Sequence, residues 1–200
     1  MMEQSPQVSI IVPCYNAERY VGEAIESALS QDCTVQVIVV DDGSTDGSVE
    51  VIQRYEPAVQ LVRKPNQGIA NARNAAIALL QAPYALLLDN DDRLASDALA
   101  QLLGTMLGSQ QRVVYGRFQG WNEDMTQRLA EPRLASLNPD PFVYLSRHDF
   151  TPPGAVLFPT SAFDRIGQFD QTVAGCDDWD FQAELVHNEE APPLIHAVFI

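Results

Sequence analysis

The residues best suited to chemistry lie in YALLLDNDD, residues 84–92, where an apolar run ends in Asp89, Asn90, Asp91 and Asp92. Carboxylates held within a few ångströms of one another repel, and one stays protonated unless a cation neutralises the group. Oxygen-only donors suit Mg²⁺ or Mn²⁺, ions that share their coordination with substrate phosphates. The pattern therefore reads as a rigid strand holding acids where a metal and a diphosphate meet. The plain alternative is an acidic helix N-terminus, with Asp91 or Asp92 capping the next turn or favouring its dipole. An EF-hand loop starting at Asp89 fails, because its sixth position is Leu94 and its twelfth Ala100, where a glycine and a carboxylate are needed.

The elements that must position these acids alternate between two periods. Residues 8–12 form a β-branched apolar run, and Tyr20, Val21, Ala24, Ile25, Ala28 and Leu29 then recur at helical spacing. Residues 35–40 repeat the strand signal, 41–47 are turn-rich, and 48–55 suit a short helix. Leu61 and Val62 predict a brief strand, 66–80 an Ala-rich helix capped by Asn66, 84–88 a strand, 96–107 a helix and 113–118 a strand. Residues 138–159 carry five prolines and are expected to be loop. Near-continuous apolar strands separated by helices predict an α/β fold with a mainly parallel central sheet covered on both faces. Ligands of such sheets sit outside the carboxyl ends of the strands. Here those ends are polar: Pro13, Cys14, Tyr15 and Asn16, then Asp41 and Asp42, then Asp89 to Asp92.

Composition narrows the partners. At 200 residues and 46% hydrophobic, one domain with a substantial core is expected over residues 1–200. Twelve Lys and Arg against 27 Asp and Glu give a net charge of -15, which argues against nucleic acid as a partner. Small anionic ligands stay open, since a divalent cation inverts the local sign of a site. MMEQSPQVSI has neither the basic flank nor the apolar core of a signal peptide, and no run approaches the roughly 18 apolar residues of a membrane span, so a cytoplasmic chain without an integral membrane segment is expected. Cys14, Cys33 and Cys176 suggest neither a disulfide framework nor a zinc site. No G-x-G-x-x-G follows the first strand and no G-x-x-x-x-G-K-[ST] occurs, so phosphates would depend on a metal and side chains.

With these turns in view the chain resembles the family 2 glycosyltransferases of the GT-A fold. VSIIVPCYNAERYVGEAIESALSQ, VIVVDDGSTDGS, NQGIANARNAAI, LLLDNDD and GCDDWDF occur in that family's order and approximate spacing. The resemblance implies a Rossmann-like, three-layer α/β/α domain with a nucleotide-binding half over residues 1–110 and an acceptor-side half over 111–200. It implies nucleotide contacts at Pro13, Tyr15, Asp42, Arg73 and Asp89, and a D-x-D motif at Asp89, Asn90 and Asp91 whose metal ligands are Asp91 and Asp92, Asp92 entering because the doubled acid leaves the register open. Chemistry agrees: a carboxylate accepts from a nucleobase imide N–H, a tyrosine ring stacks on a base, and a guanidinium serves base or phosphate. Each has a plain alternative. Tyr15 could pack over the strand ends, Asp42 could make an Asx-turn into Gly43, and Arg73 could be a solvated helix residue.

The same resemblance assigns Asp177 and Asp178 to the acidic pair before a tryptophan, with Asp178 as general base for an acceptor hydroxyl. The implied reaction is an inverting transfer from a nucleoside-diphosphate sugar, a UDP-sugar first, to a glycan, lipid-linked or other hydroxyl acceptor, with Mn²⁺ or Mg²⁺. Work at the inner face of a membrane is compatible with it. The competing expectation is a non-catalytic nucleotide-sugar-binding or scaffold module of the same fold. For Asp177 and Asp178 the plain alternative is an acidic first turn of a helix whose apolar side carries Trp179, Phe181, Leu185 and Val186. Trp179 is expected to pack rather than stack on sugar, and Gly154 and Gly167 to sit at turns. Pro159 stands where many relatives place a basic residue. The chain stops at LIHAVFI, where relatives continue to a Tyr-Arg or His-containing stretch, which implies a fragment of a longer enzyme or impaired activity. His148, His187 and His196 are given no role.

Overall fold

A computed structural model of the chain describes residues 5–108, 113–122, 127–129, 152–173, 175, 177–187 and 194–199; for 117, 186–187 and 194–199 the description is of backbone alone. Cys176, His148 and most of the proline-rich stretch lie outside the described residues, as do the side chains of His187 and His196.

Among the described residues seven strands form one sheet: β1 (Val8–Cys14), β2 (Val35–Asp41), β3 (Val59–Arg63), β4 (Tyr84–Leu87), β5 (Val114–Arg117), β6 (Val156–Pro159) and β7 (Leu194–Phe199). Their spatial order is β3-β2-β1-β4-β6-β5-β7. The pairs β1–β2, β2–β3, β1–β4 and β5–β7 are parallel, while β6 runs antiparallel to both β4 and β5. The chain winds outward from β1 through β2 to β3, then returns to the other side of β1 for β4. That reversal opens a crevice between the carboxyl ends of β1 and β4, the usual place for a ligand.

Side-chain alternation along β1 builds the layers. Val8, Ile10, Val12 and Cys14 join a core with Val21, Ala24, Ile25 and Ala28 of α1 (Val21–Leu29), Ile52 of α2 (Ser48–Gln53) and Leu99, Leu102 and Met106 of α4 (Ala98–Gly108). Ile11 faces the other way, into a core with Ala72 and Ala76 of α3 (Ile69–Ile77), Phe163 of α5 (Ala162–Ile166) and Phe181 and Leu185 of α6 (Asp177–His187). Both faces of the sheet are thus covered, as the continuous apolar strands require. Among the described residues no helix is long and apolar enough to cross a membrane.

Two expectations are corrected. Residues 153–159 are a short 3₁₀ turn, Pro153–Ala155, followed by β6, whose Val156, Leu157 and Phe158 are buried; this is core, not loop. Asn66 does not cap α3, which begins at Ile69 after Gly68 in the left-handed region, φ 91°. Gly154 and Gly167 do mark turns, Gly167 ending α5 with φ 88°.

Candidate active site

At the β2 exit Asp41 and Asp42 are both buried but do different work. Asp41 Oδ1 accepts the Ser44 N–H at 3.1 Å, so the Asx-type turn belongs to Asp41. Asp42 reaches across to the β3–α3 loop instead. Its Oδ1 accepts the Gln67 N–H at 3.0 Å and the Lys64 ammonium, and its Oδ2 accepts the Gly68 N–H at 2.8 Å. Those amides precede α3 and would otherwise be unpaired, so a carboxylate from a different strand performs the task expected of Asn66. Gly43 makes this approach feasible: its φ is 78°, and a Cβ there would stand 2.8 Å from the Asn66 nitrogen.

The β1 exit is laced to the same loop. Asn16, at φ 49°, accepts the Thr45 N–H at 2.8 Å through Oδ1, and its own N–H donates to Ser44 Oγ at 3.0 Å. Between these anchored residues Tyr15 is 48% exposed, which leaves its ring open to solvent and contradicts a packing role over the strand ends. Pro13 lies in β1, and its carbonyl accepts Asn90 Nδ2 at 3.0 Å, tying the acidic turn to the central strand.

Arg73 is the centre of the site. Its side chain is 2% exposed, which excludes a solvated helix residue. One guanidinium nitrogen, Nη2, donates to Asp89 Oδ1 at 2.9 Å; the other, Nη1, donates to Asp177 Oδ2 at 2.8 Å and lies 3.9 Å from Asp178 Oδ1. Burial opposes its charge, yet the carboxylates of Asp89, Asp177 and Asp178 outweigh that and drive its pKa upward. Burial also raises Asp89, against the pull of Arg73 and with help from the charges of Asp178 and Asp91, so the two acidic segments sense each other electrostatically. The guanidinium additionally lies over the Phe169 ring, 5.7 Å from its centroid.

Helix α3 fixes the segment leading to Asp177 in other ways that sequence reasoning missed. Asn74 Nδ2 donates to the Phe169 carbonyl at 2.9 Å and its Oδ1 accepts the Phe169 N–H at 2.9 Å; Asn71 donates to Gln171 at 3.1 Å. Phe169 packs with Phe163 and Phe181 beneath. Sequence did carry one signal for Arg73: it shares a helical face with Ala70 and Ala76, both buried, and a cation on a buried face requires a counter-charge. Asp177 is buried, Asp178 retains 19% exposure and Trp179 is half-buried.

In the acidic turn, the Asp92 N–H donates to the Asp89 carbonyl at 3.1 Å, Asp91 is exposed and Asp92 half-buried. Burial, then the charges of Asp89 and Asp91, push Asp92 up to about 6. Among the described residues no group of three or more His, Cys, Asp or Glu is arranged to hold a metal. Small hard cations are bound through one or two carboxylates with the balance from water and phosphate, and Asp91 and Asp92, an oxygen-only pair beside the Arg73-bound Asp89, fit such an open site. The thiol of Cys14, at the same edge, is pushed up to about 11 by burial and is inert.

A doubly covered, mainly parallel sheet with an acidic crevice at its switch point and no glycine-rich phosphate loop defines a GT-A-type domain. The model of the glycosyl transferase family 2 matches residues 9–166, and the chain belongs to that family. It is 40% identical over 118 residues to an uncharacterized glycosyltransferase of Haemophilus influenzae, an alignment covering 56% of this chain and 47% of the relative. Solved structures share the fold at lower identity. TarS 1-349 of S. aureus in complex with UDP-GlcNAc has a TM-score of 0.79 and 21% identity over 97% of this chain and 58% of that one. The mannosyltransferase PcManGT of Pyrobaculum calidifontis, in complex with GDP-Man and Mn2+, has a TM-score of 0.72 and 22% identity over 99% and 57%. The chain spans about half the length of these relatives.

Proposed function

We propose that the chain is the catalytic domain of an inverting, metal-dependent glycosyltransferase that uses a nucleoside-diphosphate sugar. The observation that carries this reading is the reach of one buried guanidinium, which draws Asp89, two residues beyond the end of β4, and Asp178, from the start of α6, to the same point. A donor diphosphate beside the acidic turn would then lie within reach of a base for the acceptor.

The residues divide the work. Tyr15 offers a ring for the base, with Pro13 and Asp42 as further nucleotide contacts, and Asp42 holds the 64–68 loop in place. Arg73, whose two terminal nitrogens donate to carboxylates while its buried Nε has no partner among the described residues, acts as the strut between acids, and a role at base or phosphate for the terminal nitrogens would require them to share those bonds. Asp91 and Asp92, with Asp89, would hold Mn²⁺ or Mg²⁺, which when bound neutralises charge on the leaving diphosphate. Asp177, fully engaged with Arg73, orients the start of α6. Asp178, less buried, takes the proton from the acceptor hydroxyl as that oxygen bonds to the anomeric carbon from the face opposite the departing diphosphate. A single displacement of this kind inverts the anomeric centre.

A UDP-sugar is the first donor to test, supported by the UDP-GlcNAc complex of the TarS neighbour, and Mn²⁺ by the complex of the archaeal mannosyltransferase. The acceptor is proposed to be a glycan or lipid-linked hydroxyl, met in the cytoplasm or at the inner face of a membrane. Calorimetric titration with UDP and GDP, with and without Mn²⁺, tests the donor side. Asp178→Asn tests the chemistry: nucleotide binding is expected to persist while transfer falls by about 10²–10⁴-fold. A variant that transfers sugar at the wild-type rate would remove Asp178 from the mechanism.

A further inference from the structure

The chain that follows the acidic turn is held by a helix on the far side of β1. From Asp92 it runs without regular structure toward α4, and α1 grips it at several points. Gln31, just beyond the end of α1, is buried, and both ends of its amide are used. Its Nε2 donates to the Ser27 carbonyl at 3.0 Å and the Ala95 carbonyl at 2.8 Å, and its Oε1 accepts the Leu99 N–H at 3.0 Å. Ser27 Oγ accepts the Leu94 N–H at 3.1 Å, and Glu23 pairs with Arg93. On the other flank Asn90 is bonded to Pro13, so the turn carrying Asp91 and Asp92 is pinned on both sides.

We propose that Gln31 is a positioning residue for the acidic turn: through Ala95 and Leu99 it fixes the path of residues 93–99, and with it the place where Asp91 and Asp92 meet a divalent ion and a diphosphate. This rests on the transferase reading above. Three carboxylates within four residues push the turn open, and the strap opposes that push. Leu99 is the second residue of α4, whose N–H has no partner within its own helix, so Gln31 caps α4 from another element. A neutral amide is suited to the position because it donates to a carbonyl and accepts from an N–H at once. Glutamate would lose the donor and add a negative charge; methionine keeps the length and loses all three bonds.

The test uses Gln31→Met, with Ser27→Ala as a milder cut that removes the Leu94 acceptor and the hydroxyl's own bond to the Ala24 carbonyl but leaves Gln31 in place. Amide hydrogen exchange in the metal-free protein is expected to quicken at least tenfold at Leu94 and Leu99 in Gln31→Met, while β1 and β2 keep their protection. In calorimetry, UDP affinity in chelator stays at the wild-type value, but the gain on adding Mn²⁺ shrinks at least fivefold, and about twofold in Ser27→Ala. Variants that lose thermal stability yet keep the full Mn²⁺-dependent gain would show a merely structural strap and overturn the inference alone. A wild-type chain with no Mn²⁺-dependent gain overturns the metal-dependent reading, and the inference with it.

Discussion

Replacing Arg73 by methionine is the sharpest perturbation of this site. Methionine approximates the length of the side chain but removes two charge-assisted hydrogen bonds, at 2.8 Å to Asp177 and 2.9 Å to Asp89. The loss falls unequally. Asp177 is 2% exposed and is left as an unpaired buried carboxylate, whereas Asp89, at 28%, recovers some hydration. Removing one partner of a buried pair costs about 3–5 kcal/mol, a large share of the roughly 5–15 kcal/mol that holds a domain together. At about 2–4 °C per kcal/mol for a chain of this size, Tm is expected to fall by about 10–15 °C. Urea denaturation followed by circular dichroism, run on Arg73→Met, Asp177→Leu and the double variant, reads the coupling directly. The double variant is expected to be more stable than Arg73→Met by about 2 kcal/mol, because the fully buried carboxylate of Asp177 is no longer left alone and only the partly exposed Asp89 lacks its partner. Arg73→Lys should rescue little, since one ammonium cannot span both acids in the geometry of the planar fork. A loss under about 1 kcal/mol in Arg73→Met, or independent single effects in the cycle, would refute the strut.

Other outcomes follow from the rim. Asp92→Asn should stabilise the metal-free protein above pH 6: the folded carboxyl titrates at about 6 against 3.8 ordinarily, so the folded state holds its proton more tightly and its contribution to stability is lost as pH rises through that window. Denaturation at pH 7.5 is expected to favour the variant by about 1 kcal/mol after screening by partial exposure, with the difference vanishing below pH 4. Asp42→Asn keeps one acceptor oxygen and loses the other along with the charge, so at least one of the Gln67 and Gly68 amides is left short of an acceptor while Lys64 keeps the Pro65 carbonyl; it should cost about 1–3 kcal/mol by urea denaturation and quicken proteolysis in the 64–68 loop. Gly43→Ala places a Cβ against the Asn66 nitrogen in a left-handed backbone and should cost about 2 kcal/mol or more, read as a Tm drop of about 5 °C.

What the sequence disclosed about this fold, and what it hid, follows from the range of the forces involved. Strands β1, β2 and β4 were legible because each is an unbroken apolar run, and the acids at their exits were legible because a parallel sheet puts all such exits on one edge. Strand β6 was not: four residues, Val156–Pro159, carry no period of their own, and the surrounding prolines outweighed them. Periodicity assigns a residue to a face but never names its partner. Arg73 meets Asp177 across 104 positions of chain and Asn74 meets Phe169 across 95, so neither contact leaves a local trace. Asp42 illustrates the same limit from the other side, since its neighbour Gly43 suggested a turn that Asp41 in fact makes.

The long-range bonds nonetheless share a logic. Helix α3 commits Asn71, Arg73 and Asn74 to residues of one distant segment, and Arg73 also reaches Asp89 at the head of the acidic turn. A bimolecular displacement needs its base and its leaving-group edge fixed relative to each other to within a fraction of an ångström, and a 1 Å error costs about 10²-fold. Loops joined only through the sheet cannot hold that tolerance. A buried planar cation with two carboxylates can, because stretching either hydrogen bond leaves a charge unpaired in a site with little water. The cost of burying Arg73 is therefore consistent with a geometry that apolar packing at the same position would hold less tightly.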